Sequence, residues 1–386
     1  MPRSSDARAP RRIALITSSF APHVGGVEEH VAQIALQLQS RGHTVEVWTV
    51  DRGELPDAPF TARDGSEIAV RYLPAPLPAR DLGALLRFGL RIVPAWARWV
   101  RAHRRFSPDL LHVQCFGPNG IYAELLHRRF RTPMIVTSHG ETLGDDHGIY
   151  ARSALLRSWL RRALAAAVSV TAPSRFVLDD LRAHHGLDAS GLVVPNGVDL
   201  DVRPDRTAPP SVPCLYAVGR LGRPKGFDLL IDAYARSEPG IPLVIGGDGP
   251  EREALQQRID AAGLHDRVRL IGRQTPRQVA TGMAAALAVI VPSRVESFGI
   301  VALEAWRAGT ALVMTSRGGA LDFVRHEQNG LLVDPTDVDA LAAAITRIVS
   351  DDELRTRVAR GGRDDVSGFT WSRAADAYER LYERVS

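Results

Sequence analysis

The start of the chain most constrains the fold, because it reads as a strand, a glycine loop, a helix and a second strand. Arg12 to Ser18 contains four apolar residues in a row, Ile13 to Ile16, which is typical of a strand buried on both faces of a sheet. Val27 to Gln39 carries apolar residues at helical spacing, and Thr44 to Val50 reads as the next strand. This unit predicts a parallel sheet covered by helices, and therefore an α/β fold.

The loop before this helix ends in Gly25 and Gly26, which let the main chain approach a ligand closely at the helix start. The dinucleotide fingerprint G-x-G-x-x-G is absent, which disfavours a dehydrogenase with two nucleotide-binding domains. A Gly-Gly loop taken alone also fits a simple turn.

A second strand–loop–helix unit opens the second half of the chain. Cys214 to Val218 reads as a strand and Phe227 to Ala235 as a helix, and the loop between them carries Arg220 and Lys225. The Gly-Lys-Ser/Thr of a Walker loop is missing. Because N–H groups, a planar guanidinium and a compact ammonium are the groups that hold phosphate, we expect a phosphate site in this loop.

Two carboxylates, Glu296 and Glu304, follow the apolar run Ala284 to Val291, eight residues apart. On one regular helix they would lie within about 80° of each other and roughly 12 Å apart along the axis. That separation is too large for two acids that share a proton. It suits the two hydroxylated ends of one long ligand.

Between these acids, we expect N–H groups near Phe298, Gly299 and Ile300 to start a helix and to bind an anion. The pattern predicts a sugar nucleotide, with its sugar at Glu296, its diphosphate at the helix end and its ribose at Glu304. A Glu pair at this spacing is more often merely solvated, so the prediction depends on the surrounding residues.

Composition limits the other classes of protein. The length of 386 residues predicts two domains, and a net charge of +4 suits anionic ligands or an anionic membrane face. We see no nucleic-acid-binding motif and no apolar run long enough to cross a membrane. Two cysteines give neither a disulfide framework nor a metal pattern, so we predict a reducing cytoplasmic setting.

The segment Asp81 to Arg105 alternates apolar residues with arginines and contains Trp96 and Trp99. A basic amphipathic helix with tryptophans describes a membrane-surface element. A helix packed on the sheet with a solvated basic face also fits, and we favour it. We expect Pro94 to kink or divide the helix.

A strand at Thr132 to Thr137 runs into Ser138 and His139. This places His139 at the carboxyl edge of the sheet, where open α/β folds bind ligands. A lone histidine is more often a structural residue.

In combination, these motifs resemble the retaining glycosyltransferases of the GT-B type, family 4, also called glycosyltransferases group 1, whose hallmark is Glu-x7-Glu. The resemblance covers nearly the whole chain. It implies two facing Rossmann-like domains with parallel sheets and an interdomain cleft. We accordingly divide the chain into a disordered basic tail at 1–12, an acceptor-side domain at 13–200 and a linker at 201–212. A nucleotide-sugar-binding domain follows at 213–368. The C-terminal helix at 369–386 crosses back to the first domain.

The resemblance also implies a role for each matching residue. His139 would contact the donor sugar near the reacting carbon, while Arg220 and Lys225 would bind the diphosphate as it leaves. The implied catalytic residues are His139, Arg220, Lys225 and Glu296, and the implied donor-binding residues are Gly25, Gly26, Arg220, Lys225, Gly247, Glu296, Phe298, Gly299, Ile300 and Glu304.

Two acidic positions receive no such role. Asp199-Leu200-Asp201 looks like the metal motif of the other glycosyltransferase architecture, but two-carboxylate tripeptides recur by chance, as Asp337-Val338-Asp339 shows. Asp322 stands where the family often has glutamate, and its shorter reach argues against a catalytic role.

We therefore expect a metal-independent, cofactor-free hexosyltransferase that retains the anomeric configuration. It would move the sugar of a GDP- or UDP-linked donor to a hydroxyl of a glycan, glycolipid or small polyol. Arg220, Lys225 and a helix N-terminus would supply the positive field at the leaving phosphate. Same-face attack through an oxocarbenium-like state is the expected route, and a covalent nucleophile at Glu296 is the competing one.

Other readings remain open. A nucleotide-sugar epimerase on the same fold is the alternative function, and it would turn over donor without an acceptor. A non-catalytic glycan- or membrane-binding protein is another. The expected location is cytoplasmic, either free or peripheral on the inner face of the cell membrane through Asp81–Arg105, and the sequence does not indicate an oligomeric state.

Overall fold

The computed structural model describes residues 9–23, 25–53, 59–62, 65–78, 82–143, 149–204 and 213–385. These residues form two α/β domains, each built on one mostly parallel sheet, so the predicted α/β class is confirmed. Most of the predicted tail and residues 205–212 of the predicted linker lie outside the described residues. Arg12, assigned to the tail, already begins the first strand.

The first domain alternates strands and helices, as the sequence predicts. Its elements are β1 (Arg12–Thr17), α1 (Gly26–Ser40), β2 (Thr44–Val50), β3 (Phe60–Thr61), β4 (Glu67–Leu73), α2 (Leu82–Phe106), β5 (Leu110–Gln114), α3 (Pro118–Phe130), β6 (Met134–Thr137), α4 (Ile149–Arg152), α5 (Ala154–Ala166), β7 (Ser169–Ala172), α6 (Arg175–His185) and β8 (Leu192–Val193).

The second domain continues this alternation and ends in three helices. Its elements are β9 (Cys214–Val218), α7 (Phe227–Ser237), β10 (Leu243–Gly246), α8 (Arg252–Ala261), β11 (Val268–Leu270), α9 (Pro276–Ala285), β12 (Ala286–Val291), α10 (Ile300–Ala308), β13 (Ala311–Thr315), β14 (Leu331–Val333), α11 (Val338–Ser350), α12 (Asp352–Asp365) and α13 (Trp371–Glu383).

The strand order places the ligand-binding edge of each sheet. Within the described residues, the first sheet runs β3-β4-β2-β1-β5-β6-β7-β8 and the second runs β11-β10-β9-β12-β13-β14, and only β3 pairs antiparallel. The order reverses between β1 and β5 and between β9 and β12. Ligands of open α/β sheets bind at the carboxyl ends of the strands at such a point. The loops after β9 and β12 carry Lys225 and Glu296.

Each sheet is buried on both faces, which explains the apolar runs of its strands. Along β1, Ile13 and Leu15 pack in one cluster with α1, and Ala14 and Ile16 pack in the other with Trp48. The helix α13 follows the second domain in the chain but packs on the first, in the cluster of Ile13 and Leu15.

Two helices differ from their expected outline. The helix α2 continues through Pro94 without a break, so Pro94 does not divide it. The sequence of residues 151–166 predicts one helix, but the structure has two, because Ser153 ends α4 and caps α5 by accepting a hydrogen bond from Leu156 N–H. The helix α3 was not predicted, because it opens on Pro118, a residue tolerated at a helix start but unfavourable elsewhere in a helix.

Candidate active site

Two glycine turns of the second domain pack against each other at the ends of β9 and β10. Gly219 N–H donates to Gly246 O over 3.1 Å, and Gly247 N–H donates to Gly272 O over 2.8 Å. A Cβ on Gly247 would lie 1.8 Å from Gly219 O, and its φ of 137° is itself unfavourable for other residues. Glycine is therefore required where the phosphate loop meets the turn after β10.

Lys225 and Glu296 lie at the centre of the site. Lys225 Nζ lies 2.8 Å from Glu296 Oε2, and Ser293 Oγ donates to the same oxygen over 2.9 Å. Gly226 has a left-handed φ of 67°, and a Cβ there would lie 2.0 Å from Pro292 O. The turn that carries Lys225 therefore packs directly on the loop that holds Glu296.

Arg294 joins the same two loops. Its N–H donates to Pro224 O over 2.8 Å, and its guanidinium forms hydrogen bonds of 2.7 and 2.6 Å with the two oxygens of Asp228. Burial by itself would raise the pKa of Asp228, but the hydrogen bonds and charge of Arg294 outweigh burial and lower that pKa. No local sequence signal links Arg294 to a residue 66 positions earlier.

The helix α10 starts directly after this loop. Gly299 precedes it with a φ of 95°, and a Cβ there would lie 2.5 Å from Met314 Cε. In the part of the chain that the structure describes, no acceptor is bonded to the main-chain N–H of Phe298, Gly299 or Ile300. These groups and the helix dipole create the positive field that the sequence predicts here.

The helical geometry expected for the two acids does not apply, because only Glu304 lies on α10. Glu296 lies in an extended loop that forms a bridge with Gly318, and its N–H donates to Arg317 O over 3.0 Å. The structure therefore fixes Glu296 through the backbone of the loop after β13, a contact that helix periodicity does not describe.

Glu304 is half-buried near Tyr216 of β9. Burial, and then the negative charge of Glu304, raises the pKa of Tyr216. A Cβ on Gly246 would lie 3.1 Å from Tyr216 Oη. Glu304 and the turn at Gly246 and Gly247 therefore lie around the same tyrosine.

In the first domain, His139 follows β6, as predicted. Its Nε2 lies 2.9 Å from Gln114 Oε1, and its ring meets that of His30 edge to face with 4.5 Å between centroids. Burial, followed by the neighbouring His30 and His112, holds the pKa of His139 well below its usual value. The imidazole is therefore neutral at physiological pH.

Glu141 anchors the loop that carries His139. Its carboxylate accepts hydrogen bonds from the N–H of His139 over 2.7 Å, the N–H of Phe116 over 2.8 Å and Ser138 Oγ over 3.0 Å. Burial raises the pKa of Glu141, and these hydrogen bonds oppose that rise. The sequence did not single out Glu141, although an acid two residues after a strand-end histidine is a usable signal.

The two domains meet at this loop. A Cβ on Gly140 would lie 1.9 Å from Ser297 Oγ, and Ser174 Oγ donates to Ser297 O over 2.6 Å. A Cβ on Gly26 would lie 3.8 Å from Ile300 Cδ1, so the Gly-Gly loop borders the start of α10. Predicted site residues of both domains thus line one interdomain cleft.

The structure also places Arg220, a predicted site residue, and Asp322, which was given no role. Arg220 follows Gly219 at the end of β9 and its side chain is exposed. Asp322, which received no catalytic role, accepts from Arg175 N–H over 2.6 Å and from Arg175 Nε over 3.0 Å. It therefore links the second domain to the N-terminus of α6 in the first.

Among the described residues, no group of three or more His, Cys, Asp or Glu side chains could hold a metal ion. The pair that resembles a metal motif forms a turn instead, because Asp201 N–H donates to Asp199 Oδ1 over 2.9 Å. Arg307 Nη1 donates to Asp199 O over 2.9 Å and ties this turn to α10.

Comparisons with known proteins identify the family. The model described as Glycosyltransferase Family 4 matches residues 24–202, and the model described as Glycosyl transferases group 1 matches residues 201–365. Glycogen synthase from Mycobacterium tuberculosis is 30% identical, over 96% of this chain and 94% of its own length. This chain belongs to the group 1 glycosyltransferases.

Solved structures confirm the GT-B fold of this glycosyltransferase. Sucrose-phosphate synthase from Thermosynechococcus elongatus superposes with a TM-score of 0.81 at 26% identity, covering 98% of this chain and 99% of that one. Anabaena HepE in complex with UDP-glucose superposes with a TM-score of 0.76 at 23% identity, covering 96% and 99%. In the glycosyltransferase, no described helix is both long and apolar enough to cross a membrane.

One further signal lies in the composition of the glycosyltransferase. Of its 48 lysine and arginine residues, Lys225 is the single lysine. A compact ammonium on a flexible stem differs from a planar guanidinium in how it binds phosphate. The single lysine of this arginine-rich chain is the residue that lies next to Glu296.

Proposed function

We propose that this glycosyltransferase moves a hexosyl group from a nucleoside-diphosphate sugar to an acceptor hydroxyl, without a metal and with retention of configuration. The observation that supports it most directly is the contact of Lys225 Nζ with Glu296 Oε2 beside the first turn of α10. A cation for phosphate, an acceptor for sugar hydroxyls and free N–H groups meet there.

The donor lies mainly on the second domain. Its diphosphate lies against the N–H groups of Gly299 and Ile300, with Lys225 and Arg220 as counter-charges. Its ribose lies toward Glu304 and its sugar toward Glu296. Since HepE is described in complex with UDP-glucose, a UDP-linked donor is favoured over a GDP-linked one.

The chemistry is a same-face displacement. The bond between the anomeric carbon and the phosphate oxygen breaks, and the acceptor oxygen bonds to the anomeric carbon on the face that the phosphate leaves. The acceptor proton passes to the departing phosphate oxygen, so the products are a glycoside and a nucleoside diphosphate. The residues of this chain orient the donor and neutralise the charge that develops on the phosphate.

Glu296 is poorly suited to act as a covalent nucleophile. Its Oε2 contacts Lys225 Nζ and accepts a hydrogen bond from Ser293 Oγ. Both contacts withdraw electron density from this oxygen and lower its nucleophilicity. The same contacts hold it in one orientation for hydrogen bonds with sugar hydroxyls. The mechanism therefore assigns Glu296 to donor binding at the reacting sugar.

The acceptor enters from the first domain and is a hydroxyl of a glycan, a glycolipid or a small polyol. A lipid-linked acceptor is supported by α2, whose Leu90 is 80% exposed and whose Val93 is 70% exposed. Trp99 is buried and donates Nε1–H to Pro74 O over 2.9 Å, so the exposed aliphatic residues and not this tryptophan would contact a membrane. The exposed arginines nearby are Arg91, Arg98, Arg101, Arg104 and Arg105.

The enzyme is assigned to the cytoplasm, free or on the inner membrane face. Its two cysteines, Cys115 and Cys214, are buried and form no disulfide bond, as suits a reducing compartment.

A donor panel tests the proposal. UDP- and GDP-linked glucose, galactose, mannose and N-acetylglucosamine are compared by thermal shift at millimolar concentration, since a ligand that binds only the folded state raises the melting temperature. Hydrolysis or transfer is then followed by proton NMR, and the coupling constant of the product reports retention. The proposal fails if no sugar nucleotide binds, or if the product forms with inversion. Free epimer formed without an acceptor would identify an epimerase.

A further inference from the structure

A buried polar cluster connects the C-terminal helix α13 with the site histidine. Its members come from three strands, two helices and the loop after β8, and nearly all are inaccessible to solvent. Buried polar groups are retained in a core only when hydrogen bonds satisfy them, and such a network holds its members in single orientations. The members are His30, His112, Gln114, Thr137, Thr171, Asn196, Tyr378 and Tyr382.

Gln114 determines where the proton of His139 lies. His139 Nε2 lies 2.9 Å from Gln114 Oε1, and an amide oxygen only accepts hydrogen bonds. His139 Nε2 therefore carries the proton and donates it. Because the ring is neutral, Nδ1 has no proton and presents a lone pair.

His112 prevents the side-chain amide of Gln114 from flipping, which would exchange its oxygen and its nitrogen. Gln114 Nε2 lies 3.2 Å from Nε2 and 3.4 Å from Nδ1 of His112, so the amide nitrogen rests against that ring. The ring is itself held at both ends, by Tyr382 Oη over 2.7 Å and by Thr137 Oγ1 over 2.7 Å. The chain of contacts thus runs from Tyr382 on α13 through His112 and Gln114 to His139.

His30 supports the other side of the His139 ring. Its Nδ1 lies 2.8 Å from Asn196 Oδ1 and its Nε2 lies 3.2 Å from Tyr378 Oη, so Nδ1 donates and Nε2 accepts. This leaves His30 neutral and its ring fixed against His139. A second tyrosine of α13 therefore contributes to the same orientation.

We propose that Gln114 and Tyr382 are positioning residues that keep His139 in its Nε2–H form, so that Nδ1 accepts a hydrogen bond from a hydroxyl of the donor sugar. This inference rests on the proposed function for its ligand. The helix α13 follows the second domain in the chain yet orients a side chain of the first. The orientation of the His139 ring consequently depends on how α13 packs against the first domain.

Burial and two neighbouring histidines, His30 from α1 and His112 from β5, lower the pKa of His139 and keep it uncharged. The other groups near it are Glu141 from its own loop, and Tyr378 and Tyr382, which contact His30 and His112. Burial lowers the pKa of His30 to about 4 and that of His112 to about 3. Glu141 is engaged by main-chain N–H groups and not by the imidazole.

Variants of Gln114 test the proposal in the full-length protein. Gln114→Met keeps the volume but removes the acceptor, and we expect kcat to fall about tenfold, the factor of one ordinary hydrogen bond, with UDP affinity unchanged. Gln114→Glu restores an acceptor but adds a negative charge. That charge raises the pKa of His139, so acidification protonates the imidazole at a higher pH than in the wild type. The acid limb of the pH–rate profile should therefore shift to higher pH.

A matched pair of tyrosine variants separates positioning from general packing. Tyr382→Phe removes the hydroxyl bonded to His112, whereas Tyr234→Phe removes a hydroxyl bonded to Ile241 O over 2.7 Å in the second domain. We expect Tyr382→Phe to lower kcat severalfold and Tyr234→Phe to leave it unchanged. Equal loss in both variants would contradict a positioning role.

The tautomer is also measured without any donor. Long-range proton–nitrogen NMR of the labelled His139 ring should show a protonated Nε2 in the wild type and a mixed signal in Gln114→Met. A protonated Nδ1 in the wild type, or unchanged rates and pH profiles in both Gln114 variants, would overturn the inference. If the wild type uses no sugar nucleotide at all, the proposed function fails, and the NMR result still decides the tautomer.

Discussion

Lys225 Nζ and Glu296 Oε2 lie 2.8 Å apart, although 71 positions separate the two residues in the chain. The Lys225 side chain is 37% exposed and that of Glu296 is 11% exposed. An ion pair that is partly exposed contributes little to stability. Its value is therefore in the site, where it places a cation and a hydrogen-bond acceptor side by side for the phosphate and the sugar of the proposed donor.

Replacing the ammonium should impair catalysis more than stability. We expect Lys225→Met to lower kcat by roughly 10² to 10³, the usual cost of losing one preorganised stabilising group. Lys225→Arg should recover only part of the rate, because a planar guanidinium cannot occupy the same position beside Glu296. Initial rates with the donor found in the panel measure both variants.

An amine-directed probe provides the control for this prediction. Because Lys225 is the single lysine, pyridoxal phosphate followed by borohydride can label only this side chain, apart from the N-terminal amine. UDP should protect the site from labelling and inactivation, and Lys225→Arg should remove the label. Labelling at an unchanged rate in saturating UDP would place the diphosphate elsewhere.

Glu296 distinguishes the two retaining routes. If Glu296 only binds the sugar, Glu296→Ala should lower kcat, and added azide should not restore turnover. A covalent nucleophile would instead leave a cavity in which azide attacks the donor and releases a glycosyl azide. Mass spectrometry of the products decides between them, and Glu304→Ala serves as a control that should mainly weaken nucleotide affinity.

The Arg175–Asp322 contact should favour the closed arrangement of the domains. Arg175 is 71% exposed in its side chain, so a double-mutant cycle with Arg175→Ala and Asp322→Ala should give a coupling of only about 0.5 kcal/mol in stability. We expect a larger effect on the ratio of donor hydrolysis to transfer, because a cleft that opens more readily admits water. An unchanged ratio in the double variant would exclude this role.

Acid should destabilise the first domain through its buried histidines. Burial lowers the pKa of His30 to about 4, so the folded state keeps this ring neutral while the unfolded state binds a proton below about 6.5. Above pH 6.5 both states keep the ring neutral, and the free energy of unfolding has its full value. As the pH falls toward 4, the free energy of unfolding decreases by on the order of 3 kcal/mol. Denaturation midpoints measured from pH 7 to 4 check this, and His30→Asn should flatten the curve.

The outer face of α2 should bind anionic lipid. Vesicles containing phosphatidylglycerol should sediment the protein, and Leu90→Glu with Val93→Glu should release it, because exposed apolar side chains beside arginines favour an anionic interface. Neutral phosphatidylcholine vesicles are the control for charge. Equal sedimentation of wild type and the double variant would show that α2 does not mediate binding.

Much of this architecture is readable from the chain alone. Apolar runs and glycine turns predict the β1–α1–β2 unit, and β2 and β9 have the predicted bounds. These signals are local, because strand burial and helix starts depend on residues within a few positions. Pro94 shows the limit of such local signals, because α2 continues through it although a proline inside a helix removes a hydrogen bond.

The sequence by itself determined the α/β class and predicted which residues could bind phosphate and sugar, since chemistry and spacing are properties of the chain. Only the tertiary structure decided which of them meet. It set Lys225 on Glu296, Gly140 against Ser297, and Gln114 between His112 and His139. Such pairings depend on strand order and on the juxtaposition of two domains, and no local pattern encodes either.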